Sequence, residues 1–172
     1  MSQRNLLENE RVAAFAEAAQ QYCILIESRE RIPKREFLKE CAVALAQLFG
    51  TAVGLLDVSV ESSEPYDLEQ ISQDEWKTIF DSLSEMLGKD DRYWMVFDPY
   101  EEEAPIGSSL GDDLSDVYCD IKPALRVYGR TERDTRDAAG DWRFNFLNHW
   151  GHHCASASQA IYQLLRQFDD ED

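Results

Sequence analysis

Apolar positions along this chain recur with a helical period. Val12, Phe15, Ala16, Ala19, Tyr22, Cys23 and Ile26 fall three and four residues apart, which places them on one stripe of an α-helix. Pro33 suits the first turn of a second helix. Its stripe is Phe37, Cys41, Ala44, Leu45 and Leu48, and it runs on toward Leu56 with a weak point at Gly50 or Gly54. The polar segment Asp57 to Gln70, with Pro65 inside it, reads as a connection. A third helix opens at Ser72, where Glu75 completes a capping box, and passes through Trp76, Ile79, Phe80, Leu83 and Leu87 before Gly88 ends it. Tyr93 to Phe97 is a short apolar run with no second strand to pair with, so it is expected as an irregular plug over the core.

Ser108 or Ser109 caps a fourth helix with the stripe Leu110, Leu114, Val117, Tyr118, Ile121, Leu125 and Tyr128, in which Pro123 should cause a kink or a break. After Thr131 the positions Ala138, Trp142, Phe146, His149, Trp150, His153, Ala157, Ala160, Ile161, Leu164 and Phe168 keep one face for some thirty residues, and Gly151 does not disturb that phase. These patterns predict an all-α fold, an antiparallel helical bundle of four to five helices with no sheet. Residues 1–168 form one domain in this reading. Residues 169–172 are an acidic tail that should fray, because the helix macrodipole disfavours anions at a C-terminus.

Composition changes the picture little, and charge changes it more. An apolar share of 44% and a charged share of 30% in 172 residues suit a chain that buries its own core. Acids outnumber bases 34 to 17, giving a net charge of −17. Asp57 to Trp76 carries seven acids and Tyr93 to Asp120 eight, both without a Lys or Arg, whereas Arg4, Arg11, Arg29, Arg31, Lys34, Arg35 and Lys39 balance the start of the chain. Such a surface repels nucleic acid, so no direct nucleic-acid binding is expected. Met1 to Glu10 holds no apolar signal segment, and no apolar run approaches the eighteen or so residues of a membrane span, which points to a cytoplasmic protein. Cys23, Cys41, Cys119 and Cys154 show no paired spacing and read as reduced thiols, the first two on apolar faces.

Candidate chemistry concentrates on the fourth and fifth helices. Asp112, Asp113, Asp116 and Asp120 lie within about two turns, and at about 100° per residue Asp113 and Asp120 border the apolar stripe. Asp112 and Asp113 sit in the first turn, where the dipole favours anions. Asp116 and Asp120 lie further in, where neighbouring carboxylates repel and call for compensation. His149 and His153, four apart on the apolar face, have the spacing that lets two imidazoles reach one ion, without the glutamate of a zinc-protease helix between them. Asp113, Asp116, Asp120, His149 and His153 are therefore either an Asp–His hydrogen-bond network or a metal or acid–base site, and the sequence by itself assigns neither metal nor cofactor. His152 points off the stripe toward solvent, and Trp142, Phe146 and Trp150 read as core. Gly107-Ser108-Ser109-Leu110-Gly111 matches the serine-hydrolase elbow, with Asp141 and His149 following in order. The acidic residues before it form no buried strand, and helix capping accounts better for Ser109.

Three segments together resemble a known family. They are Tyr22 to Glu27, Ser109 to Lys122, and Trp142 to Phe146 followed by His149-Trp150-Gly151-His152-His153. The chain resembles the bacterial family called domain of unknown function 5063. That resemblance implies a small all-α bacterial protein, carries no assigned activity, and makes the aspartate and histidine segments the family's common feature. Two functions then remain open: an accessory module docking on a basic protein surface, or a metal-dependent hydrolase of phosphorylated small molecules using the aspartates and histidines.

Overall fold

The computed structural model describes residues 9–60 and 68–170. Its elements are α1 (Glu10–Ser28), α2 (Lys34–Leu55), α3 (Gln73–Leu87), β1 (Arg92–Met95), β2 (Ile106–Ser109), α4 (Leu110–Val127), α5 (Glu132–Asn148) and α6 (Trp150–Asp170), with single 3-10 turns at Arg29–Arg31 and Gly88–Asp91. The chain is mostly helical, as its periodicity predicts, but the described residues hold six helices and a small hairpin rather than four or five helices alone.

Four helices start at side-chain caps, of which those at Ser72 and Ser109 are the ones the sequence predicts. Asn9 accepts from the amides of Arg11 and Val12, Ser72 from that of Glu75, Ser109 from that of Asp112 and Thr131 from that of Asp134. α4 lies at the centre, packed against α1, α3, α5 and α6, while α2 packs against α1, α5 and α6. One apolar core runs through these contacts, from Val12, Phe15 and Ile26 through Leu45, Leu48 and Leu83 to Trp142, Trp150 and Ile161. By length and composition α2 could cross a membrane, which the sequence reading had not expected. Its charges crowd into the first two turns and leave an uncharged run from Cys41 to Leu55, whose inward face, Cys41, Ala44, Leu45, Leu48, Ala52 and Leu55, is buried in this core.

Three expectations need correction. Tyr93 does not begin an irregular plug: Arg92–Met95 pairs antiparallel with Ile106–Ser109, Trp94 facing Gly107 and Tyr93 facing Ser108. The second strand escapes a pattern search because Ile-Gly-Ser-Ser carries one β-branched residue and leads straight into a helix. Pro123 does not break α4, which is continuous from Leu110 to Val127. Close to the proline the indole of Trp142 donates to the Ile121 carbonyl at 3.1 Å, and α4 as a whole is packed against α1, α3, α5 and α6. The long fifth helix is two helices. Gly151 is not the break; His149 is, with φ −149° and ψ −81° between α5 and α6. Gly151 makes the elbow possible, since a β-carbon there would lie 2.2 Å from the Phe146 carbonyl oxygen. The acidic tail is helical as far as Asp170, and residues 171 and 172 lie outside the described residues.

Candidate functional site

The N-terminus of α4 is fixed by a residue that the sequence reading passed over. Asp91, buried in the 3-10 turn after α3, accepts from the Ser109 hydroxyl at 2.9 Å and from the Gly111 amide at 2.8 Å. Gly111 permits the approach: a β-carbon there would meet Ser84 Oγ at 2.9 Å and Asp91 Oδ1 at 3.0 Å. With its hydroxyl committed to Asp91 and to capping Asp112, Ser109 is a structural serine.

One turn along, Asp113 is 2% exposed and fully engaged. Its Oδ1 lies 2.8 Å from His153 Nδ1, and its Oδ2 accepts from the Tyr93 hydroxyl of the hairpin. A carboxylate can only accept here, so Nδ1 of His153 carries a proton and Nε2 faces the other way, 3.6 Å from Asp116 Oδ2. The other oxygen of Asp116 accepts from the indole of Trp76 at 2.9 Å, and that ring stacks on Phe80 at 5.1 Å. Asp120, one further turn on, takes His149 Nδ1 at 2.7 Å. The two imidazoles stand edge to face with centroids 4.8 Å apart. Each histidine thus has a carboxylate behind Nδ1 and keeps Nε2 for another partner.

The elbow brings these groups together. His149 sits at the non-helical joint and is 51% exposed, while His153 lies one turn into α6 and is mostly covered. The pairing is Asp113 with His153 and Asp120 with His149. The ligand atoms of Asp116, His149 and His153 lie within 4.8 Å of one another. His152 does not face away alone: its ring lies 4.5 Å from that of Phe97, beyond the end of β1.

The charge balance is tight. Burial works against a charged His153, but its hydrogen bond to Asp113 and the charges of Asp113, Asp116 and Asp112 outweigh that and raise its pKa. Burial, and then the charge on His153, lower that of His152. Asp120 is raised by burial against the opposing pull of His149, and Asp112 by burial and its neighbours Asp116 and Asp113. Behind the elbow, burial and the charge of Asp120 push Asp141 up to about 7. Tyr93 is pushed up by burial and by its bond to Asp113, so it remains a proton donor. Asp91, Tyr93 and Trp76 were not legible as partners because each acts across a tertiary contact. Only the glycine at 111, two residues after the capping serine, hinted at a close neighbour.

Two imidazoles and a carboxylate on one side, with carboxylates fixing the rings from behind, form a donor set suited to a divalent transition metal ion. Ligands about 2.0–2.2 Å from an ion lie no more than about 4.4 Å apart, so three ligand atoms within 4.8 Å of one another need only a small approach to close on an ion.

Comparison with known proteins adds the fold and the family. The chain is similar to the crystal structure of protein BF1032 from Bacteroides fragilis, with a TM-score of 0.79 at 19% identity over 92% of this chain and 94% of that one. No curated protein matches it. The family model of the domain of unknown function 5063 matches residues 7–167, and with the aspartate and histidine segments both inside that span, the chain belongs to this family.

Proposed function

We propose that the protein holds a divalent first-row transition metal ion on Asp116, His149 and His153. The observation that carries this reading is the double backing of the imidazoles: Asp113 behind His153 at 2.8 Å and Asp120 behind His149 at 2.7 Å. Hydrogen bonds of this kind fix the tautomer and ring orientation of metal-binding histidines and raise their basicity. A purely structural network would have little reason to leave one of its histidines half exposed. Three protein ligands leave coordination positions open, and an ion held that way polarises a water molecule for hydrolysis. Asp112, Asp113 and Asp120 surround the centre, and no Lys or Arg occurs from Tyr93 to Ile121. The ion's charge must outweigh these acids before a phosphate can approach, so a neutral or cationic substrate suits the centre better than a phosphorylated one.

Untagged protein melted with and without zinc, cobalt or manganese tests the reading. One-site linkage predicts about 2.7 kcal/mol of added stability at a hundredfold excess over the dissociation constant. The gain should be specific to one or two of the metals and vanish in His149→Ala, a half-exposed position, with circular dichroism of the metal-free variant checking that its fold is kept. Equal small shifts with every divalent ion, magnesium included, would reduce the cluster to a hydrogen-bond network screened by salt.

A further inference from the structure

The hairpin contributes almost nothing to the core. From Arg92 to Ser108 no residue is buried, and the hairpin is pinned mainly by Tyr93 on Asp113 and Phe97 on His152. It nevertheless exposes Trp94, Val96, Phe97, Tyr100 and Ile106, five of the twelve large apolar side chains that the described residues leave in solvent. Tyr100 is 95% exposed and Trp94 76%. Two strands are marginally stable alone, and an aromatic patch on them is an unfavourable way to finish a surface unless something binds it.

The same segment carries Asp98, Glu101, Glu102 and Glu103. None of these carboxylates takes part in an ion pair among the described residues, and the side chain of Asp98 accepts from the amide of Tyr100 in its own loop. Exposed Trp and Tyr are the side chains most often central to binding, and their faces attract Lys and Arg. A second copy of the chain is a poor occupant, since it presents the same acidic loop on a molecule of net charge −17. We infer that the outer side of the hairpin, Trp94 to Ile106, is a docking surface for a basic polypeptide segment of a partner protein that interleaves Lys or Arg with apolar residues.

The probe is a synthetic peptide of alternating Lys and Leu, titrated into the full-length protein, with a Ser–Leu peptide of the same length as control. Binding of the Lys–Leu peptide is expected in the micromolar range. It should weaken about tenfold or more in Trp94→Ala/Tyr100→Ala and again in Glu101→Lys/Glu102→Lys/Glu103→Lys, both at exposed positions where circular dichroism should stay unchanged. His149→Ala should leave it unaltered, which separates this surface from the metal site. The inference is overturned if the Lys–Leu peptide does not bind, or if the hairpin variants bind it like the parent, which would leave only net charge. Equal binding of the Ser–Leu peptide, or self-association of the free protein abolished by Trp94→Ala/Tyr100→Ala, would overturn it too.

Discussion

Along α1 and α2 the inward side chains are almost all apolar: Val12, Phe15, Ala19, Ile26, Phe37, Leu38, Leu45 and Leu48 are fully buried there. Across α4, α5 and α6 the buried set also includes Asp113, Ser115, Asp141 and Ser156. The first region is held by area removed from water, which has no direction and tolerates any well-filled arrangement. The second is held by pairings that work only with both partners in place, because a buried polar group without one costs more than the bond contributes. What separates them is the kind of damage each can absorb, and the same contrast locates the chemistry.

The largest expected effect lies on the apolar side. Leu45→Ala leaves a cavity between α2 and its neighbours and should cost about 2–5 kcal/mol in a urea melt, by the same amount at pH 5 and pH 8. A pH-dependent loss would show that the two regions are less separate than their contacts imply. Asp113→Ala comes next, at about 1–3 kcal/mol, because it strands the Tyr93 hydroxyl and His153 Nδ1 together. A loss well below that would place solvent around Asp113 and weaken the comparison.

The smallest effect has the opposite sign. Asp141 has its pKa raised by burial and by Asp120 to about 7, so the folded state holds its proton more tightly than the unfolded chain does. Stability from this group is complete below about pH 4 and is lost as pH rises through about 7. Asp141→Asn should therefore be more stable than the parent by about 1–2 kcal/mol at pH 8 and nearly equal to it at pH 4. A variant less stable at both values would mean that Asp141 is held as a charge.

Legibility in the sequence follows the same divide. The stripes of α1 and α2 were readable because a helix repeats its inward face every three or four residues, and burial needs nothing else. The five residues of the candidate cluster were also legible as a group, through acids bordering a stripe and histidines four apart, and the structure brings them together. Their pairing was not: the spacing implied one continuous helix, and the break at His149 is invisible because the apolar phase of α5 carries on into α6. Asp91 and Trp76 gave no local signal, since the first is useful only where α4 begins beside it and the second only where Asp116 faces it. The hairpin was missed for a related reason, a strand too short and too poor in β-branched residues to announce a partner ten residues away.

The hydrogen bond from Trp76 to Asp116 makes the protein its own optical probe. Trp142 and Trp150 are fully buried and should emit toward the blue, following the fold as a whole, while Trp94 lies open on the hairpin. Trp76 alone has its indole nitrogen tied to a candidate ligand, at 2.9 Å. An ion arriving at Asp116 draws electron density from the carboxylate that this N–H donates to, and so alters the emission of one ring while the buried pair stays constant. With Trp94→Phe and Trp76→Phe as references, metal capture at the elbow and peptide capture on the hairpin could be followed in the same cuvette, at separate wavelengths, without a label.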